Sequence, residues 1–501
     1  MRRHWRRVQS RIQRLGGASS VEERSHLTVG AASWSTLFHG RALVYTVLLT
    51  LGVGVHAVGI HLVGTVLPSV VADLGGAAFY TWATMLYTIA SIVGTACGGP
   101  FRARLNLRRG YVVGVLVELV AWAGCAAAPH IAVLLLARAM QGFGSGLLVA
   151  LAYSMVSEFY TQALRARVLS VVSGIWGVAA LLGPIVGGLF ASGGWWRGAF
   201  WVAIPILILL GAMAWQALPD QAVSGVAGDF PAARLTLLGL GVLGVAASGL
   251  VAPAVWRSTL LGSAAGLVWF AFHLDSNGTN RLFPSRPLSL KTLVGTASWL
   301  FFLFGTTTGS ITVFLPLVLH VLHGVSLLSA GSINALLSLT WTVLALGGAS
   351  LSDHQVRRVI WLGPLLMLLG AVGLRVCVVG GPLTLIGVCV ALIGAGIGLC
   401  FAHISSWTMA AAQPGEESQT ASAIPTIQSL GIAFGAAAAG LAANAAGLAM
   451  GVAPETVAAA TSWVYLLGLI PPALMTVLAG RFVWLHRSYH SGHTSASGAK
   501  A

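Results

Sequence analysis

The chain has 501 residues, of which 57% are apolar and only 8% are charged. A soluble globular surface needs roughly a quarter of its residues charged, so 12 carboxylates and 27 basic residues exclude a soluble enzyme, a disordered regulator and a fibrous protein. A mean hydropathy of +0.87, with 63 glycines and 17 tryptophans, fits a protein that crosses a membrane many times. The net charge of +15 does not point to nucleic acid, because the basic residues lie in short connectors between apolar blocks.

In chain order, residues 1–41 form a basic tail containing Trp5 and Trp34, expected on the anionic inner leaflet or as flexible chain. Its arginines, Arg2 to Arg14, are not followed by the short apolar core and cleavage site of a secretory signal. A helix needs about 20 apolar residues to cross a bilayer. Fourteen such blocks follow, near 42–67, 77–99, 110–128, 131–157, 168–192, 198–218, 235–254, 258–274, 292–319, 329–351, 358–379, 382–411, 420–445 and 460–484. They are read as helices, since in lipid the backbone must satisfy its own hydrogen bonds. The seventh and eighth blocks are short, separated by Pro253, Trp256 and Arg257, so twelve spans is the alternative count. With the N-terminus placed in the cytoplasm, 23 of the 27 basic residues fall on the inner side, as the positive-inside rule requires. The exceptions are Arg197, Arg257 and Arg375 outside and Arg138 within a span. Residues 486–501 read as a cytoplasmic, polar C-terminal tail.

Cys97, Cys125, Cys377, Cys389 and Cys400 all fall in apolar stretches with no metal-ligand spacing. They read as buried reduced thiols, and neither a metal nor a cofactor is expected.

Two parts of the chain match at one offset. Leu67-Pro68 matches Leu315-Pro316, Arg108-Arg109 matches Arg357-Arg358, and the ladder Gly142, Gly144, Gly146 matches Gly394, Gly396, Gly398. Three landmarks in the same order imply two related six-helix bundles, at 42–218 and 292–485, with two extra helices in the linker 219–291. Paired halves around a midplane site are a frequent plan of secondary transporters.

Four segments then resemble the major facilitator superfamily, nearest its fourteen-span branch of drug:proton antiporters. They are the loop Gly98-Gly99-Pro100 through Arg108-Arg109; Arg138-Ala-Met-Gln141-Gly142-Phe-Gly144; Gly183-Pro184-Ile-Val-Gly187-Gly188; and Trp195-Trp196-Arg197 with Phe200 and Pro205. The resemblance covers nearly the whole chain. It implies an all-α integral membrane fold with two six-helix bundles, and export driven by protons. The chain departs from the family in two places. Arg104 stands where the first loop usually has an aspartate, which the second loop keeps as Asp353. The first span has no acid and carries His56 and His61.

An ionisable side chain within a span calls for a reason. Glu118 lies in Val115-Leu-Val-Glu118-Leu-Val with no local cation, and a carboxyl that binds and releases a proton there would suit coupling. Arg138 stays charged, and the resemblance makes it the coupling arginine, with Gln141 one turn on. One hypothesis pairs Arg138 with Glu118, so that protonation of Glu118 frees the arginine and shifts the access equilibrium. His56, His61 and His403 are further proton-site candidates, or packing residues. Trp176, Phe302, Trp341 and Trp407 with Gln141 are expected to line a substrate cavity. Gly183, Pro184, Gly187 and Gly188 suit a span that bends and seals against a partner. Arg104, Arg108, Arg109, Asp353, Arg357 and Arg358 lie in matching inner loops, where charge pairs, Arg104 with Glu158 among them, would hold the inside closed. Simple positive-inside topology is the alternative for the arginines.

The function expected is proton-driven export of small amphipathic compounds by an inner-membrane, multi-pass, monomeric protein with both termini cytoplasmic. No GxxxxGK[ST] loop exists for ATP, and no DxD or HExxH motif marks a membrane enzyme. The partners are then a small-molecule substrate, protons and the lipid bilayer. Transport of one specific metabolite and a non-transporting sensor on the same fold remain the alternatives.

Overall fold

A computed structural model describes residues 33–75, 82–220, 231–248, 253–276, 281–325, 327–448 and 453–498, with 251 and 278 between them. Residues 1–32 of the expected N-terminal tail, Trp5 included, lie outside the described residues.

Among the described residues, a 3-10 turn, Trp34–Phe38, leads into fifteen α-helices: α1 Gly40–Leu74, α2 Trp82–Ala126, α3 Ile131–Phe159, α4 Gln162–Ser192, α5 Trp196–Trp201, α6 Ala203–Ala217, α7 Ala232–Ser248, α8 Ala254–Ser276, α9 Leu293–His323, α10 Leu327–Gly348, α11 Asp353–Cys377, α12 Leu383–Ala410, α13 Glu417–Ala445, α14 Pro454–Leu467 and α15 Ile470–Gly498. No strand occurs among the described residues. Over their described residues, all fourteen apolar blocks coincide with helix. Among the described residues, eleven helical stretches are long and apolar enough to cross a membrane; α7 is shorter and α8 is not among the eleven, and α2 holds two of the blocks. Fourteen spans is therefore compatible with the structure. α15 runs on to Gly498, past the start of the expected tail.

α2 is continuous through the expected first inner loop, broken only at Asn106, whose φ of 58° is left-handed. Asparagine tolerates that conformation because its short side chain bonds locally. Here its Oδ1 accepts from Arg109 N at 3.0 Å, and its Nδ2 donates to Asp220 Oδ1 at 2.7 Å. α11 opens with a capping box, Ser352 with Gln355. α9 closes on Gly324 at φ 64°.

The first half, α1–α6, packs α1 on α3 and α4, and α2 on α3. The second half, α9–α15, packs α9 on α13, and α12 on both α10 and α11. The repeat in the sequence is a repeat in packing. A Cβ added to Gly142 would lie 2.1 Å from Tyr87 O, and one on Gly394 would lie 2.1 Å from Leu337 O. The ladder thus seats α3 on α2, and α12 on α10, at backbone contact. The inserted pair α7 and α8 pack on each other, α7 on α2, and both on α13.

The two halves meet along α4 with α10 and α12, and along α13 with α2 and α3. The contacts lie toward the end of the molecule that carries the described termini, Trp34–Phe38 and the last turns of α15. There Ser154 Oγ donates to Ser418 O at 3.4 Å. Trp34 Nε1 and Arg167 Nε both donate to Ser350 Oγ at 3.2 Å. Thr342 Oγ1 donates to Ser173 O at 3.1 Å, and Gly177 faces Thr342. One and two turns beyond Gly177, on the same stripe of α4, Leu181 and Ile185 are 47% and 62% exposed. The halves are closed at one end and diverge toward the other.

Candidate coupling and substrate site

The buried polar cluster lies in the first half and is built by three helices. On α2, Glu118, Trp122 and Cys125 fall one helical turn apart on one face; on α3, Arg138, Gln141 and Ser145 do the same. α1 contributes His56 and the carbonyl of Gly59, and the first part of α2 contributes Tyr87 and Ala83. Glu118, Arg138 and Gln141 have no exposed surface, and Tyr87 and Ser145 have 1% each. Glu118 is satisfied at both oxygens: Trp122 Nε1 donates to Oε2 at 2.7 Å, and Ser145 Oγ donates to Oε1. Tyr87 OH lies 3.0 Å from Ser145 Oγ and 2.8 Å from His56 Nδ1. A continuous chain therefore runs from His56 through Tyr87 and Ser145 to Glu118. The His56 ring meets Trp176 of α4 edge-on, 5.6 Å between centroids.

Arg138 is placed differently from the sequence expectation. No ion pair joins it to Glu118 among the described residues. Its guanidinium lies over the Tyr87 ring, 4.2 Å from the centroid. Nε donates to Ala83 O at 3.2 Å, and Nη1 to Gln141 Oε1 and, at 3.5 Å, to Gly59 O. Carbonyls and an aromatic face compensate the charge, and Nη2 and Gln141 Nε2 are buried without a partner. The link between acid and guanidinium is Tyr87: its ring lies under Arg138 and its hydroxyl reaches the Glu118 chain.

A Major Facilitator Superfamily model matches residues 49–436. The chain belongs to this superfamily. It is 32% identical over 430 residues to a Mycobacterium tuberculosis protein named as a probable multidrug-efflux transporter, covering 83% of this chain and 90% of that one. It is 27% identical over 301 residues to the multidrug transporter protein MdtP of Bacillus subtilis, covering 58% and 54%. Among solved structures, the human organic anion transporter MFSD10 (TETRAN) superposes with a TM-score of 0.63 at 16% identity, over 86% of this chain and 99% of that one. The proton:xylose symporter XylE does so at 0.61 and 14%, over 88% and 95%. These two likenesses concern the fold. The chain is thus a multi-pass membrane transporter and not an enzyme.

Within this major facilitator fold the remaining predicted residues divide. Gly183 and Gly187 press α4 onto α1: a Cβ at Gly183 would lie 2.6 Å from His61 Cβ, and one at Gly187 3.0 Å from Leu62 O. Gly188 lies near Thr65, and the side chain of Pro184 is outside the described residues. His61 is half-buried, its Nε2 without a partner. His403 Nε2 lies 2.9 Å from Gly348 O. Trp341 lies on the seam helix α10 against Phe401. Two expected cavity aromatics face elsewhere. Trp407 is stacked on His486 at 3.5 Å, between α12 and α15. Phe302 lies between Trp299 and Phe434 in a lateral slot.

The inner charge pairs are also differently made. Glu158 binds Arg102, not Arg104, through Nε at 3.1 Å and Nη2 at 2.9 Å. The reason is direction: Arg102, two residues earlier on α2, is the one whose side chain reaches the end of α3. Arg108 and Arg109 face Asp220 at 3.8 and 3.6 Å, and Arg108 Nε donates to Leu218 O at 2.6 Å. Both pairs tie helices of the first half together. Asp353 is exposed in the first turn of α11 and makes no ion pair among the described residues; Arg358 is exposed, and Arg357 Nε is buried without a partner. The seam itself is closed by hydroxyls, backbone and Arg167. Sequence reasoning missed Tyr87, Ser145, Trp122 and Asp220. Ser145 and Trp122 were signalled by spacing, four residues after Gln141 and Glu118.

Proposed function

We propose that this protein is a proton-coupled exporter of small amphipathic compounds, working by alternating access in the cell (inner) membrane as a monomer with both termini cytoplasmic. The observation that carries the reading is the hydrogen-bonded chain from His56 on α1 to the buried Glu118. The names of its relatives as efflux transporters support the direction.

With the termini inside, the closed seam is cytoplasmic and the diverging end faces outward, the side from which protons enter. With Glu118 ionised, the chain donates in one direction: His56 Nδ1–H to Tyr87, Tyr87 to Ser145, Ser145 to Glu118. If each proton moves one link, Glu118 becomes neutral and His56 Nδ1 becomes an acceptor. A proton taken up at Nε2 leaves the imidazole neutral, so one proton has entered. The loss of charge at Glu118 changes the field at Arg138, which shares Tyr87 with it. Helices α1, α2 and α3 meet at this point, so the protonation state biases which end is open. The driving force includes about 2.3 kcal/mol per charge for each 100 mV of potential.

The test is accumulation of ethidium in energised everted vesicles. Uptake that nigericin abolishes supports the reading; uptake indifferent to nigericin contradicts it. The unpartnered donors of Arg138 and Gln141 favour, as the second reading, one specific anionic metabolite, which would compete where ethidium does not.

A further inference from the structure

The inserted helix α8 does not pack flush against the second half. Between α8, α9 and α13 lies an apolar slot of about 230 Å³, lined by Val268, Trp299, Phe302, Leu430 and Phe434 among others. From Ala265 to Phe272 it follows α8 for about 10 Å, at 1.5 Å per residue. At the end that carries the termini it adjoins a second cavity of about 160 Å³, with Trp269, Phe272 and Leu288 shared between the two. The lining there turns polar: His273, Ser276, Arg286 and Ser289. Trp269, 61% exposed, stacks on His273 with centroids 5.4 Å apart. The nearby Asp275 does not neutralise this mouth, because its oxygens bind Arg234 at 2.8 Å, Leu282 N at 2.7 Å and Phe283 N at 2.8 Å. Among the described residues, no carboxylate lines either cavity.

We propose that this pair of cavities binds one phospholipid with an anionic headgroup, from the leaflet at the end carrying the termini. An acyl chain fills the slot, and the phosphate lies against Arg286. Three features select this occupant. The slot is apolar over a length that suits part of a chain. Its mouth carries a guanidinium and an imidazole without an acid. An aromatic ring stands at the boundary, where amphipathic rings sit in membranes. The site has a consequence for transport. Phe302, Leu430 and Phe434 belong to α9 and α13, and α13 carries the seam contact at Ser418. A lipid wedged between α8 and α13 therefore steadies the closed end. The proposal rests on membrane embedding and not on the direction of transport.

Arg286 has a φ of 55°, a left-handed conformation that suits glycine. Arg286→Gly consequently removes the charge without straining the backbone. The full-length protein, purified in detergent, is exchanged with phosphatidylglycerol or phosphatidylcholine of the same acyl chains, and retained lipid is counted by native mass spectrometry. One basic side chain near a lipid surface is worth about fivefold in binding. The wild type should retain phosphatidylglycerol over phosphatidylcholine by about that factor or more. Arg286→Gly should lose this preference at an unchanged or higher melting temperature. Ala265→Trp, at an exposed position on the slot, should reduce retention of both lipids. Equal retention of the two lipids by the wild type overturns the proposal. So does an unaltered preference in Arg286→Gly, displacement of the lipid by ethidium, or displacement by water-soluble glycerol phosphate alone. None of these readouts requires transport, so failure here is distinct from failure of the export reading.

Discussion

Tyr87 lies between buried Glu118 and buried Arg138: its ring supports the Arg138 guanidinium at 4.2 Å, and its hydroxyl lies 3.0 Å from the serine that caps Glu118. One side chain thus touches both the cation and the acid's hydrogen-bond chain. Tyr87→Phe separates the two roles, keeping the aromatic face and deleting the hydroxyl. The expected outcome is a fall of roughly tenfold or more in pH-driven transport, about 1.4 kcal/mol in barrier, with protein stability nearly retained. Tyr87→Leu, which deletes the face as well, should also lower stability. Transport in proteoliposomes and a melting curve check both.

Ser154 and Ser418 mark the closed seam, one from each half, joined by a 3.4 Å hydrogen bond. Cysteines at both positions should cross-link under mild oxidation and arrest transport, and reduction should restore it. The five native cysteines are buried, so the background is low. Cross-linking with undiminished transport would show that the seam does not open.

How much of this was legible in the sequence follows the range of the interactions. Helices were legible because lipid leaves the backbone no alternative, and the duplicated halves because glycine ladders record backbone contact directly. Glu118 and Arg138 stood out as charges in apolar blocks. Their partners did not, because hydrogen bonds between helices leave no spacing along the chain: Tyr87 is 31 residues from His56 and 58 from Ser145. For the same reason Arg104 was matched with Glu158, when the side chain that reaches it is Arg102. Asp220 was invisible as a partner of Arg108 and Arg109 because α3–α6 lie between them in the chain.

Arg102 and Glu158 are a bidentate pair with side chains 16% and 23% exposed. A double-mutant cycle with Arg102→Ala and Glu158→Ala should give a coupling energy near ~1 kcal/mol. Replacing Arg104 in the same cycle should give almost none. Melting temperatures at low and high salt measure both, with the coupling smaller at high salt.

Asp73, beyond the apolar stretch at the end of α1, accepts from Arg197 Nη1 at 2.6 Å and Trp196 Nε1 at 3.2 Å. The Arg197 bond, then the Trp196 bond, hold its carboxyl below the usual aspartate range. A depressed folded-state pKa stabilises the fold above the ordinary value of 3.8, and that contribution is lost as pH falls through the folded value. The wild type should therefore melt above Asp73→Asn at neutral pH, and the two should converge below about pH 4. A difference that persists at acid pH would assign the effect to packing.

The central claim is that protonation of Glu118 couples the pH gradient to movement of substrate. The direct measurement uses proteoliposomes, an imposed pH gradient and ethidium, with wild type and Glu118→Gln compared for uphill accumulation and for downhill exchange. The variant should lose uphill accumulation and keep exchange, since its amide is fixed in a neutral form. Uphill accumulation equal to the wild type, with the same dependence on pH, would contradict the claim.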